Sequence, residues 1–169
     1  MSFLENEDEI DLLIEYGFLP ASIEYCLKYD DIDCFKKFNT TLPNQAKWSP
    51  LEWSVKPESL YLLSFSGFFG SIKCFKHLLL QGQLIYPSVV SSVVCSGSLD
   101  LIHLFNESTY FSSECLLNAS KFSRLSILVF LTENGTEINA KDKNDEFLFS
   151  IGLLFILLLK MVILVLLSI

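Results

Sequence analysis

Two histidines, five cysteines and a run of carboxylates are the residues of this chain whose types could do chemistry. His77 and His103 would serve as general bases or metal ligands if acids or thiols stood at the right spacing around them. The two instead hold a similar phase on second helices, His77 after Phe75-Lys76 and His103 after Leu101-Ile102. That shared phase reads as one repeated structural position. Cys26, Cys34, Cys74, Cys95 and Cys115 never form Cys-x-x-Cys and all lie in apolar stretches, so they are expected to be buried free thiols, with a metal or redox site as the alternative. The acidic run "ENEDEID" (Glu5 to Asp11) suits the solvated first turns of a helix, where negative charge complements the dipole. An acidic docking patch is the other reading of it. No phosphate-cradling glycine loop, nucleophile elbow or ligand spacing occurs. The expectation is therefore a non-enzyme, with no catalytic, cofactor-binding or metal-ligating residue, no cofactor and no small-molecule substrate.

Charge narrows the partners. Twenty acidic residues against 12 basic ones leave a net charge of −8. Phosphate backbones are bound by basic stripes, and none is present, so no nucleic-acid partner is expected. Apolar residues make up 51% of the chain, a high value that is local in origin, because after Glu146 the one charged residue is Lys160. The opening "MSFLENEDEIDLL" is acidic where a secretory signal would be basic and then apolar. A reducing, cytosolic setting is expected, in which the sequons at Asn39, Asn106, Asn118 and Asn134 stay bare.

The elements that must position these residues repeat. "DIDCFKKFN" (Asp31 to Asn39) and "SIKCFKHLL" (Ser71 to Leu79) look alike, and "SLDLIHLFN" and "RLSILVFLT" echo them. Each has apolar residues at the spacing of one helical face. Their leading residues Ile32, Ile72, Leu99 and Leu125 are separated by 40, 27 and 26 residues. Upstream of each lies a second apolar helical segment. Pro20, Pro57 and Pro87 stand at or near three of the starts, and Ser112 or Ser113 can cap the fourth. Gly70 and Gly97 fall between the two helices of their units, where a tight turn wants positive φ. The unit is thus helix, turn, helix, predicted near 20–39, 57–81, 87–106 and 112–134. The longer first interval holds an inserted loop (40–56), whose Trp48 and Trp53 either pack on the helices or form a binding pair.

The last unit ends in "FLTENGTEINAKDKNDE", with "LLLQG" at Leu78 to Gly82 as an earlier helix ending of the same kind. This resembles the ankyrin repeat, in which a glycine ends the second helix and Ile-Asn-Ala-Lys-Asp opens the next hairpin loop. Gly135 and Ile138 to Lys143 fit those positions. The other units lack Thr-Pro-Leu-His, and Ser66-Gly67, Val93-Val94 and Ala119-Ser120 stand where the family has paired alanines. The short period implies hairpin fingers cut down to loops. The stretch from about Ile10 to Glu146 looks like the degenerate ankyrin-like domain of unknown function that precedes regular repeats in the ankyrin families of trichomonad protists. The resemblance implies an all-α helical-pair solenoid of four divergent repeats over 1–146, binding an unknown protein partner. Recognition would use exposed side chains of first helices and loops. Glu24, Tyr25, Lys28, Tyr29, Trp53 and Glu137 are the candidate contacts.

Phe147 to Ile169 has two readings. Eighteen of its 23 residues are Phe, Leu, Ile or Val. At about 1.5 Å per residue such a helix spans ~35 Å, enough for a bilayer core of ~30 Å. Insertion is favoured by roughly 5–11 kcal/mol against about 3 kcal/mol for Lys160. As a transmembrane helix it would make the chain a tail-anchored adaptor with its repeats in the cytosol. The other reading is a next repeat lost to a shift of frame near Glu146. "KMVILVLLSI" can be encoded so that the frame starting at the last base of the Lys160 codon gives Asn-Gly-His-Ile-Gly-Val-Val-Glu-Tyr, an ankyrin turn and second helix.

Overall fold

The computed structural model describes residues 7–38, 45–49, 60–105 and 111–136, and these are all-helical: among them lie nine α-helices and one isolated bridge, between Gln45 and Tyr61. Helix α1 runs Glu7–Tyr16, as the acidic opening predicts. Four pairs follow: α2 (Ile23–Lys28) and α3 (Ile32–Phe35); α4 (Leu62–Phe69) and α5 (Ile72–Leu80); α6 (Pro87–Ser96) and α7 (Leu99–Ile102); α8 (Ser113–Lys121) and α9 (Leu125–Glu133). Ile32, Ile72, Leu99 and Leu125 are each the first residue of a second helix, so the repeat in the sequence is a repeat in the backbone. Two of those second helices, α3 and α7, are only four residues long, shorter than their patterns predict. Ser112 takes the N-cap position of α8 with no side-chain cap bond. Trp53, Glu137, most of the 40–56 loop and Phe147 to Ile169 lie outside the described residues. Among the described residues no helix is long and apolar enough to cross a membrane.

All four turns share one device. The residue two before each leading aliphatic is left-handed: Asp30 (φ 55°), Gly70 (73°), Gly97 (82°) and Ser123 (54°). In three of the turns the residue after it closes a six-residue loop back onto the first helix: Asp31 N–H to Cys26 O (2.9 Å), Ser71 N–H to Ser66 O (3.0 Å) and Arg124 N–H to Ala119 O (2.7 Å). These bonds satisfy carbonyls that a helix end would otherwise leave unpaired. At Gly97 the positive φ favours glycine, and an added Cβ, 2.8 Å from Arg124 Cδ, would also make the flexible arginine side chain shift. Gly82 (φ 85°) and Gly135 (φ 76°) end α5 and α9 in the same way, with Gln83 N–H on Leu78 O and Thr136 N–H on Leu131 O.

The chain forms two compact units, Met1–Ser96 and Gly97–Ile169, with the division inside the third expected pair. In the first unit α4 packs between α2 and α6, while α3 packs on α5, so like helices lie against like. Leu27, Phe35, Leu62, Leu63, Phe65, Phe75 and Leu78 are its largest fully buried side chains among the described residues. Polar bonds fix the step from one pair to the next. The Asp30 carboxylate accepts from the N–H groups of Lys73 (3.1 Å) and Cys74 (2.9 Å), capping α5 from the preceding turn. Buried Ser71 donates its hydroxyl to Leu27 O instead of capping its own helix. In the second unit α8 packs on α9, and Leu101, Ile102, Leu116, Ile127 and Leu131 are buried.

Asp30 therefore does two jobs, and substitutions separate them. Asp30→Ala loses the cap, worth about 1 kcal/mol, and adds a left-handed penalty of about 1–2 kcal/mol. Asp30→Gly loses the cap alone and is expected to be milder in urea denaturation. Equal losses for the two would show that the left-handed conformation carries no penalty here.

Candidate functional site

Four of the six expected contact residues lie on or beside α2, and the structure divides them by role. Ser22 caps α2, its hydroxyl accepting from Tyr25 N–H at 3.1 Å, and this sets the phase of the helix. Glu24 in the first turn accepts from the backbone N–H of Lys47 at 2.7 Å and so clasps the 45–49 segment. Lys28 in the last turn points back at α1. Its ammonium donates to Tyr16 O (2.9 Å), one of the carbonyls that the end of α1 leaves open. It also lies 5.7, 5.4 and 5.8 Å from the ring centres of Phe18, Tyr29 and Phe69, within cation–π range. Glu24 and Lys28 thus hold the surface together from within.

Tyr25 and Tyr29 present the surface itself. Their rings lie 4.7 Å apart, and Tyr16 meets both edge-on at 5.8 and 6.1 Å. The Tyr29 hydroxyl donates to Tyr16 O at 3.2 Å, and its side chain is 46% exposed. A hydrogen bond to the Glu15 carboxylate, and that group's charge, raise the Tyr16 phenol above its ordinary pKa. The result is three phenol rings in fixed mutual geometry, supported by one lysine. Tyr16 was missing from the expected contacts because its place depends on how α1 meets α2. Spacing within either helix carries no sign of that meeting.

Trp48, the tryptophan that lies within the described residues, packs inward. It stacks on Phe69 at 6.1 Å and meets Phe18, Phe65 and Phe68 edge-on, which is the packing reading of the inserted loop. The histidines also pack: the His77 ring stands edge-on to Phe35 at 6.0 Å and the His103 ring to Phe130 at 5.2 Å. Gln81 donates its amide N–H to His77 Nε2 at 3.1 Å.

The cysteines depart in part from expectation. Cys74, Cys95 and Cys115 are free and buried, but Cys26 and Cys34 are joined in a disulfide. Eight residues and one tight turn separate them, so the inner faces of α2 and α3 bring their Cα atoms to 5.9 Å, within bridging range. In a reducing compartment the same two thiols would stand side by side in the core. Beside them, burial first and the Asp30 charge second push the Cys74 thiol up to about 12. At pH 8.5 the native thiol is therefore expected to resist iodoacetamide while the urea-unfolded chain reacts, read by mass shift of the Cys74 peptide. Labelling at the unfolded rate would contradict the burial. The same shift lowers stability at high pH, since above about pH 9 the unfolded thiol loses its proton while the folded one keeps it until about 12. Stability from this group is full below pH 9 and falls as pH rises between those values.

Among the described residues no cluster of His, Cys, Asp and Glu could hold a metal ion. No protein-family model, curated protein or solved structure matches the chain.

Proposed function

We propose that this chain is a non-catalytic protein-binding module, an ankyrin-like array of helix pairs whose partner docks on the Tyr16, Tyr25 and Tyr29 surface. The tyrosine cluster is the observation that carries the reading. Phenol rings with few rotatable bonds, held by Lys28 before any partner arrives, give large contact area at low entropic cost. The ankyrin likeness rests on the helix pairs, the left-handed turns and the Gly135 to Lys143 motif. A photo-crosslinking residue at Tyr29, and another at Lys121 as control, tests the surface. A discrete protein adduct is expected at position 29, absent at 121 and lost with Tyr25→Ser. Identical adducts at both positions would sink the assignment.

A second reading, a membrane-tethered adaptor, is favoured by the apolar run of Phe147 to Ile169. Retention of the chain in the membrane fraction after alkaline wash supports it, and release refutes it.

A further inference from the structure

Helix α1 buries none of its described side chains, although half of its residues are apolar or aromatic: Ile10, Leu12 and Ile14 are 39%, 36% and 66% exposed. At 100° per residue Leu13 and Tyr16 turn toward the fold, which matches their partial burial, and Ile10 and Ile14 form a stripe one turn apart on an outer arc. Asp11 and Glu15 flank that stripe, both exposed. Helix α1 itself carries five carboxylates and no cation, and the one-sided charge continues along the chain. Residues 7–33 contain nine carboxylates (Glu7, Asp8, Glu9, Asp11, Glu15, Glu24, Asp30, Asp31 and Asp33) and a single cation, Lys28, whose ammonium binds Tyr16 O. Their balance of −8 equals the net charge of the whole chain, so the remaining residues are neutral in sum.

We propose that the Ile10–Ile14 stripe of α1 is a docking site for a basic amphipathic segment of a partner protein, apolar residues on the stripe and Lys or Arg against the flanking carboxylates. Charge complementarity selects this occupant. A second copy would bring −8 against −8, and anionic lipid or nucleic acid would meet the same repulsion. A neutral apolar partner would leave the carboxylates beside a desolvated surface unpaired. The proposal rests on the protein-binding reading above and adds the chemistry of the bound segment.

Three fluorescein-labelled peptides of equal length test it by anisotropy with the full chain: an amphipathic Lys/Leu helix, its Glu/Leu counterpart, and a Lys/Ser peptide with the same charge and no apolar face. The Lys/Leu peptide is expected to bind at least about tenfold tighter than either control, weakening as salt rises. Ile10→Ser/Ile14→Ser should reduce it to the Lys/Ser level. Asp11→Asn/Glu15→Gln should flatten its salt dependence. These positions are exposed, so circular dichroism should report an unchanged helix content. Equal binding of the Lys/Ser peptide would reduce the effect to bare charge and overturn the proposal, and so would equal binding of the Glu/Leu peptide. If Tyr25→Ser/Tyr29→Ser abolishes binding while Ile10→Ser/Ile14→Ser leaves it intact, the stripe is wrong and the tyrosine surface stands. A sedimenting dimer that the Ile10→Ser/Ile14→Ser variant dissolves would overturn it in favour of self-association.

Discussion

Gly67→Leu is expected to cost more than about 3 kcal/mol, and even Gly67→Ala is expected to destabilise by about 1 kcal/mol. The second result runs against helix propensity, which favours alanine over glycine in a helix interior by about 0.8–1.0 kcal/mol. The reason is the crossing of α4 and α6. A Cβ at position 67 would lie 2.8 Å from Val93 Cγ2 and 3.3 Å from Phe75 Cε2. Val93 is fully buried on α6, and a β-branched side chain in a helix has essentially one χ1 rotamer, so that methyl cannot swing away. The helices must separate, or the valine must strain. Gly67→Leu has four carbons to place in that space and no room for them. A double-mutant cycle isolates the cause. Val93→Ala alone leaves a cavity and costs about 2 kcal/mol. With Gly67→Ala added, the new methyl enters that cavity, and the pair should be more stable than the sum of the single changes by about 1 kcal/mol or more. Additive changes in urea denaturation would mean that the two residues do not meet, and the α4–α6 contact would have to be redrawn.

That contact shows which parts of the fold are legible from sequence. The repeat is legible, because Ile32, Ile72, Leu99 and Leu125 recur behind turns whose chemistry is local. Gly70 and Gly97 announce their turns by being glycine. Asp30 and Ser123 hold the same left-handed position at the same offset, but as residues that also serve many other roles, so only alignment to the repeat could expose them. Gly67 could be read from its type as a poor helix former. Its necessity depends on Val93, 26 positions away, and no local pattern carries that distance. The candidate surface divides along the same line. Tyr25 and Tyr29 are named by their place on a first helix. Tyr16, the inward turn of Lys28, the clasp of Glu24 on Lys47 and the Cys26–Cys34 pairing all depend on which elements meet.

Phe65→Ala carries the argument from core to surface and is expected to cost about 3–5 kcal/mol. Phe65 is fully buried on α4, with the rings of Phe18, Trp48 and Phe69 at 5.7, 6.0 and 5.0 Å. Truncation removes the central ring of this cluster, and the surrounding rings are too rigid to collapse into the gap. Phe65→Leu keeps most of the volume and should cost under about 1.5 kcal/mol. Trp48 supplies a second readout, since its indole rests on Phe65, Phe68 and Phe69. In a Trp53→Phe background its emission should shift to the red with Phe65→Ala and stay in place with Phe65→Leu. The loosened segment is the one that Glu24 grips through Lys47 N–H, one residue before Tyr25. Lys28 lies over Phe18 and Phe69, two rings of the same cluster. If those contacts pre-order the tyrosines, crosslinking from position 29 should weaken with Phe65→Ala at temperatures where the chain is still folded. Full crosslinking beside a red-shifted Trp48 would show that the tyrosine surface holds its geometry without the core beneath it, and the support assigned to Lys28 and Glu24 would then be wrong.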